Sequence, residues 1–144
     1  MQLKWEAAMK HHLLAVAGYV ICTFAVQATS HFAINADHYA ALPYMRAEPL
    51  IPLGILSMVI QGAVLSFLYA RSDLRGEGVM GALIAAWGIG AVIVSYIVLA
   101  EFGKYDIPDF ASWAAVELSA GAVQFSLIGI ALWLTFGGRL RRTA

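Results

Sequence analysis

Residues 79–100 read VMGALIAAWGIGAVIVSYIVLA, a run without one charged side chain. An α-helix rises about 1.5 Å per residue, so about 20 apolar residues cross a hydrocarbon core of about 30 Å. Lipid offers no water to bare amides, and a helix satisfies them within the segment itself. The run therefore predicts a membrane-spanning helix, and it has three companions. His12 to Ile34, Pro52 to Ala70 and Trp113 to Phe136 match it in length and apolarity. The joining segments are too short to form a soluble domain. The expected fold is all-α: an integral membrane four-helix bundle in a single domain over residues 1–144. Short linkers make its order up-and-down.

Composition agrees with these spans. Hydrophobic residues make up 61% of the chain and charged residues 12%, about half the charged share of soluble domains. A formal net charge of +0 provides no basic patch to neutralise phosphates, so no nucleic-acid partner is expected. The placement of charge is more telling. Lys4 and Lys10 precede the first span, Arg71 and Arg75 separate the second and third, and Arg139, Arg141 and Arg142 follow the fourth. Of the 9 Lys and Arg residues, only Arg46 and Lys104 fall in the other two loops. The positive-inside rule then puts both termini and the 71–78 loop in the cytoplasm, with loops 35–51 and 101–112 facing outward.

A cleaved signal peptide competes with the first span, since Val26-Gln27-Ala28 loosely resembles a cleavage site. The apolar stretch continues past that point, which favours a retained span. Cys22 is the single cysteine, so neither an intrachain disulfide nor a thiolate metal cluster is available.

Helices in lipid associate through close packing and a few polar contacts. Small residues at helical spacing supply close-approach faces: Ala82, Ala86 and Gly90 in the third span, Gly54, Gly62 and Ser66 in the second. Ala115 and Ser119, with Gly121 beside them, do so in the fourth. Gly137-Gly138 ends the last helix ahead of arginines suited to its negative end. Pro43, Pro49 and Pro52 make the first outer loop the least helical segment. Trp113 is expected in the aromatic belt at the outer start of span four.

Ionisable or amide side chains inside a span are costly and need partners. Glu117 lies about 7 Å into the fourth span at helical rise. Gln124 follows on the same face, Gln61 sits near the middle of span two, and Gln27 lies in span one. With His31 they define a candidate polar pocket. The structural alternative is interhelical glue, with Glu117 neutral. A second constellation marks the exit of span one, where His31, Asn35 and His38 form one stripe if the helix continues to about Ala41. Arg46, Glu48 and Glu101 complete an outer mouth. His31 and His38 are the candidate metal ligands, for zinc or copper. They stand two turns apart, about 10 Å along the axis, too far for one ion without bending.

A haem held by two histidines normally draws them from facing helices. His11, His12, His31 and His38 all belong to the first span or its flanks, so one chain cannot supply that arrangement. No cofactor is expected. Nucleophile-elbow, phosphate-loop and His-Glu-x-x-His motifs are absent from the sequence, which points away from an enzyme.

Tyr44-Met45-Arg46-Ala47-Glu48-Pro49 runs into Ile51-Pro52-Leu53-Gly54, then Met58, Gln61-Gly62 and Leu68-Tyr69. Glu117, Gln124-Phe125 and Gly129 follow in span four. With these residues the chain resembles a group of small four-span bacterial inner-membrane proteins without assigned function. The resemblance extends from about Phe32 to Gly137. It implies four helices and a multi-pass place in the bacterial inner (plasma) membrane, and it implies no activity.

The function expected from these features is an accessory, assembly or interaction subunit. Besides the lipid bilayer, its partners would be other membrane subunits or further copies of itself as an oligomer. The alternative is a transporter or channel for a small solute, proton or metal ion, using an outward-facing pocket around Glu117.

Overall fold

The computed structural model describes residues 2–46 and 48–137. Expectations placed on Gly138, Arg139, Arg141 and Arg142 lie outside the described residues, as does that on the side chain of Lys4. The described residues are helical throughout their ordered elements, and none of them forms a strand.

Helix α1 (Gln2–Thr29) continues into a π-helical turn, Ser30–Ile34. Asn35 ends it by donating its backbone N–H to the Ser30 carbonyl at 2.8 Å. A short α2 (Ala36–Ala40) follows, and the proline-bearing segment leads to α3 (Ile51–Arg71). Pro52 sits in the first turn of α3, where its missing N–H costs nothing. A 3₁₀ segment (Asp73–Glu77) turns the chain into α4 (Gly78–Ser95). Gly78 makes that turn at φ 62° and ψ −138°, a conformation that strains any residue with a Cβ. Helix α4 passes into a second π-helical segment, Tyr96–Glu101, before α5 (Phe110–Phe136). Asp109 caps α5, its Oδ2 accepting from the Ser112 N–H at 2.7 Å.

Four helical segments are long and apolar enough to cross a membrane: Ala8–Ile34, Ile51–Arg71, Asp73–Glu101 and Phe110–Phe136. They contain the four stretches expected, with ragged extensions at their ends. The helices alternate in direction. One end of the bundle carries loops 41–50 and 102–109, here the loop end. The other carries the 3₁₀ turn, the start of α1 and the end of α5, here the terminal end.

Packing is uneven. Helix α1 lies against both α3 and α5, and α4 lies against α5, while α3 and α4 touch each other little. The α1–α5 pair is therefore the centre. Glycines set the close approaches. A Cβ on Gly62 would stand 2.9 Å from the Cβ of Tyr19, and one on Gly90 would stand 2.5 Å from Phe125 Cγ. Ala82 and Ala86 are fully buried, so the small face expected on the third span is the face that packs. The other two faces hold only in part. Gly62 and Ser66 are buried, but Gly54 meets nothing. On α5, Gly121 is buried, whereas Ala115 and Ser119 are exposed. The packed face of α5 runs through Trp113, Glu117, Gln124 and Phe125 instead.

Candidate functional site

The loop end has a core of its own, built from Tyr39, Leu42, Ile107 and Trp113. Trp113 is buried, and its indole N–H donates to the Ile97 carbonyl at 3.3 Å. It thus does not occupy the surface belt expected for it. The carbonyl it reaches belongs to the second π-helical segment, where altered spacing turns backbone groups out of the regular ladder. Tyr44 stacks on Tyr105, with ring centroids 4.5 Å apart, and this joins the two loops.

Glu117 is buried beneath this core. The Tyr39 hydroxyl donates to its Oε1 at 2.6 Å, a short bond of the kind carboxyl acceptors make. His31 lies flat on the Tyr39 ring, centroids 3.6 Å apart and planes 11° from parallel. Its Nδ1 is 3.0 Å from the Gln27 carbonyl. Gln27 in turn donates through Nε2 to Gln124 Oε1 at 2.7 Å. Four of the five residues expected in a polar pocket (Glu117, Gln124, Gln27 and His31) thus form one line, linking α1 to α5 through Tyr39 of α2. Gln61 stands apart. It accepts from the Tyr19 hydroxyl at 2.8 Å and donates to Ser57 at 3.0 Å, fastening α3 to α1 nearer the middle of the bundle.

The outer-mouth residues separate. Asn35 closes the π turn, its side chain donating to Ser30 Oγ at 3.0 Å. His38 turns to the far side of Tyr39. It meets that ring edge-on, stacks on Trp113 with centroids 6.2 Å apart, and places Nδ1 3.4 Å from Ser112 Oγ. The Tyr39 ring therefore lies between His31 and His38. Among the described residues no three His, Cys, Asp or Glu side chains gather as metal ligands. Glu101 is half-buried and within electrostatic reach of Glu117 and Lys104. Glu48 is exposed. Lys104 donates to the Tyr96 hydroxyl at 2.7 Å, and that bond pushes the pKa of the exposed ammonium up.

Tyr39 is the residue that helical spacing misses. Positions 31, 35 and 38 share a stripe only in an unbroken α-helix. The π turn adds a residue to that stretch, so position 39 takes the place under His31 and position 38 rotates away. Burial, followed by the bond to Glu117, holds the Tyr39 phenol well above its ordinary pKa. Burial also raises Tyr44, with Glu101 adding to it. At the terminal end a further link, His12 Nδ1 to Ser66 Oγ at 2.7 Å, joins α1 to α3. Its only sequence signal is a polar side chain on each of two packed faces.

Beside the polar line lies a cleft of about 750 Å³ between α1, α2, α3 and the 41–50 loop. Gln27, His31, Tyr39 and Arg46 form its polar lining, while Phe24, Phe32 and Met58 are among its apolar walls. Below Gln27 and Gln124 the α5 side of the interior is apolar, through Phe125, Ile128 and Leu132, while on the α1 side buried Thr23 and the Tyr19–Gln61 and His12–Ser66 bonds continue toward the terminal end. No protein-family model, curated protein or solved structure matches this chain.

Proposed function

We propose that the chain is a non-enzymatic, four-span protein of a bacterial inner membrane, with both termini in the cytoplasm. In this reading it serves as an accessory or assembly subunit that packs in the bilayer beside a larger complex or further copies of itself. The observation that carries the proposal is the pairing of interior polar groups with one another. Glu117, Gln124, Gln27 and Gln61 all spend hydrogen bonds across helix contacts, which is the chemistry of holding a bundle together. The outward surface of α3 and α4 is apolar along its length, through Leu53, Ile60 and Leu68 on α3 and Met80, Ile84 and Val92 on α4. A face of that extent fits lipid or other helices rather than water. The bacterial membrane placement is supported by the resemblance of the Tyr44–Tyr69 region, and the orientation by the Lys and Arg bias.

The alternative, a transport pathway, is favoured by the polar line itself. On the α5 side that line stops at Gln27 and Gln124, above Phe125 and Ile128, and the polar groups that continue along α1 are spent on bonds to α3, Tyr19 on Gln61 and His12 on Ser66. Affinity isolation from native membranes in mild detergent tests the accessory reading. A stoichiometric membrane partner or a stable oligomer is expected. A lone monomer, together with an ion or solute flux in vesicles that Glu117→Gln abolishes, would overturn it in favour of transport.

A further inference from the structure

The 750 Å³ cleft falls within the range of small-molecule sites, about 300–1,000 Å³, and its walls have a definite donor and acceptor pattern. The Gln27 carbonyl can only accept, so its 3.0 Å contact with His31 requires the imidazole proton on Nδ1. Neutral His31 then presents Nε2 as a bare acceptor. Gln27 spends one of its two amide N–H groups on Gln124 and keeps Oε1 as a second acceptor. Tyr39 spends its proton on Glu117. The α1–α2 wall therefore offers mainly acceptors to the cleft, with the second Gln27 N–H as its remaining donor. Arg46 is the one formal charge among the lining residues, and it supplies donors at the side formed by the loop. Exposed rings of Phe24 and Phe32 provide flat apolar contact between these poles.

A fitting occupant has an apolar, ring-shaped body, an O–H for the α1 wall and an oxygen acceptor at the opposite edge for Arg46. We propose that this cleft binds a lipid-soluble hydroquinone, one hydroxyl donating to His31 Nε2 and the opposite oxygen accepting from Arg46. An acyl chain fits worse, because it would leave His31 Nε2 and the Arg46 donors unpaired. The inference rests on the membrane placement proposed above, since the cleft opens among residues that would lie in the outer leaflet. It is independent of any accessory partner.

Two ligands of one shape provide the test. Binding of decyl-hydroquinone and of its dimethyl ether, which lacks O–H donors, is measured on the purified full chain in detergent under reducing conditions. The ether is expected to bind about tenfold more weakly, the loss attached to about one hydrogen bond. Arg46→Gln should weaken the hydroquinone about tenfold, and His31→Phe should remove the discrimination between the two ligands. The comparison on the unaltered chain needs no variant to fold. Equal affinity for the two ligands would overturn the proposal. So would displacement of both by phosphatidylglycerol, which would make the occupant a phospholipid on Arg46. The membrane placement fails separately, if the chain is released from membranes by a carbonate wash.

Discussion

The Tyr39 hydroxyl and the Glu117 carboxyl meet at 2.6 Å in the buried end of the bundle, and each is the other's reason to be there. Removing one partner leaves the other desolvated and unpaired, which costs more than the bond is worth when both are present. Tyr39→Phe should therefore destabilise the protein by about 1–3 kcal/mol, read as a lowered unfolding midpoint in detergent. Adding Glu117→Leu to that variant should recover part of the loss, and a further fall instead would show that the pair is not coupled. The raised Tyr39 pKa also gives a sign for pH. The folded state keeps the proton where the unfolded chain has lost it, so this stabilisation is complete below the ordinary value of 10.0 and declines as pH rises through the higher folded value. Glu117, Gln124 and Gln27 are legible in the sequence because each is a polar group in an apolar run and must find a partner. Gln61 is equally legible as needing one. Its partner Tyr19 is not, since a tyrosine within an apolar run reads as span filler.

At the level of elements, length and apolarity carry the four spans, and helix periodicity carries the packed face of α4, because a regular 3.6-residue repeat links sequence to face directly. It fails at the two π-helical segments, where an added residue breaks that link. Ser30–Ile34 is the sharper case, since Tyr39 reaches Glu117 only with the added residue present. Deleting the exposed Ile34 should restore α-helical spacing and carry Tyr39 off Glu117. The expected outcome is a loss of stability at least as large as that of Tyr39→Phe, together with loss of any hydroquinone binding. A deletion that leaves both unchanged would mean the turn positions nothing. Glycines of α4 allow a cleaner contrast. Gly90→Ala puts a methyl 2.5 Å from Phe125, and such overpacking costs about 1–3 kcal/mol. Gly88→Ala meets nothing within 4 Å and should be neutral or gain up to about 1 kcal/mol from helix propensity. Thermal unfolding of the two variants side by side should separate them by sign.

For the whole molecule, the orientation in the bilayer follows from charge rather than from packing, because an up-and-down bundle packs equally well either way up. Lys10, Arg71 and Arg75 gather at the terminal end, while Arg46 and Lys104 stand at the loop end with Asp37, Glu48, Asp106 and Asp109. Acidic residues contribute little to topology, so the Lys and Arg count decides. In the proposed orientation the cleft and the Tyr39–Glu117 pair lie on the outer side. The single native cysteine, half-buried Cys22, can be changed to Ser to leave a blank background for labelling. In that background, Gly103→Cys in the 102–109 loop should react with a membrane-impermeant maleimide in intact spheroplasts. Gly76→Cys, whose position meets nothing within 4 Å, should react only after permeabilisation. The reverse pattern would invert the protein and turn the cleft toward the cytoplasmic leaflet. Labelling of both positions from outside would remove the single crossing, by α4, that separates them, and with it the assignment of an inner and an outer end.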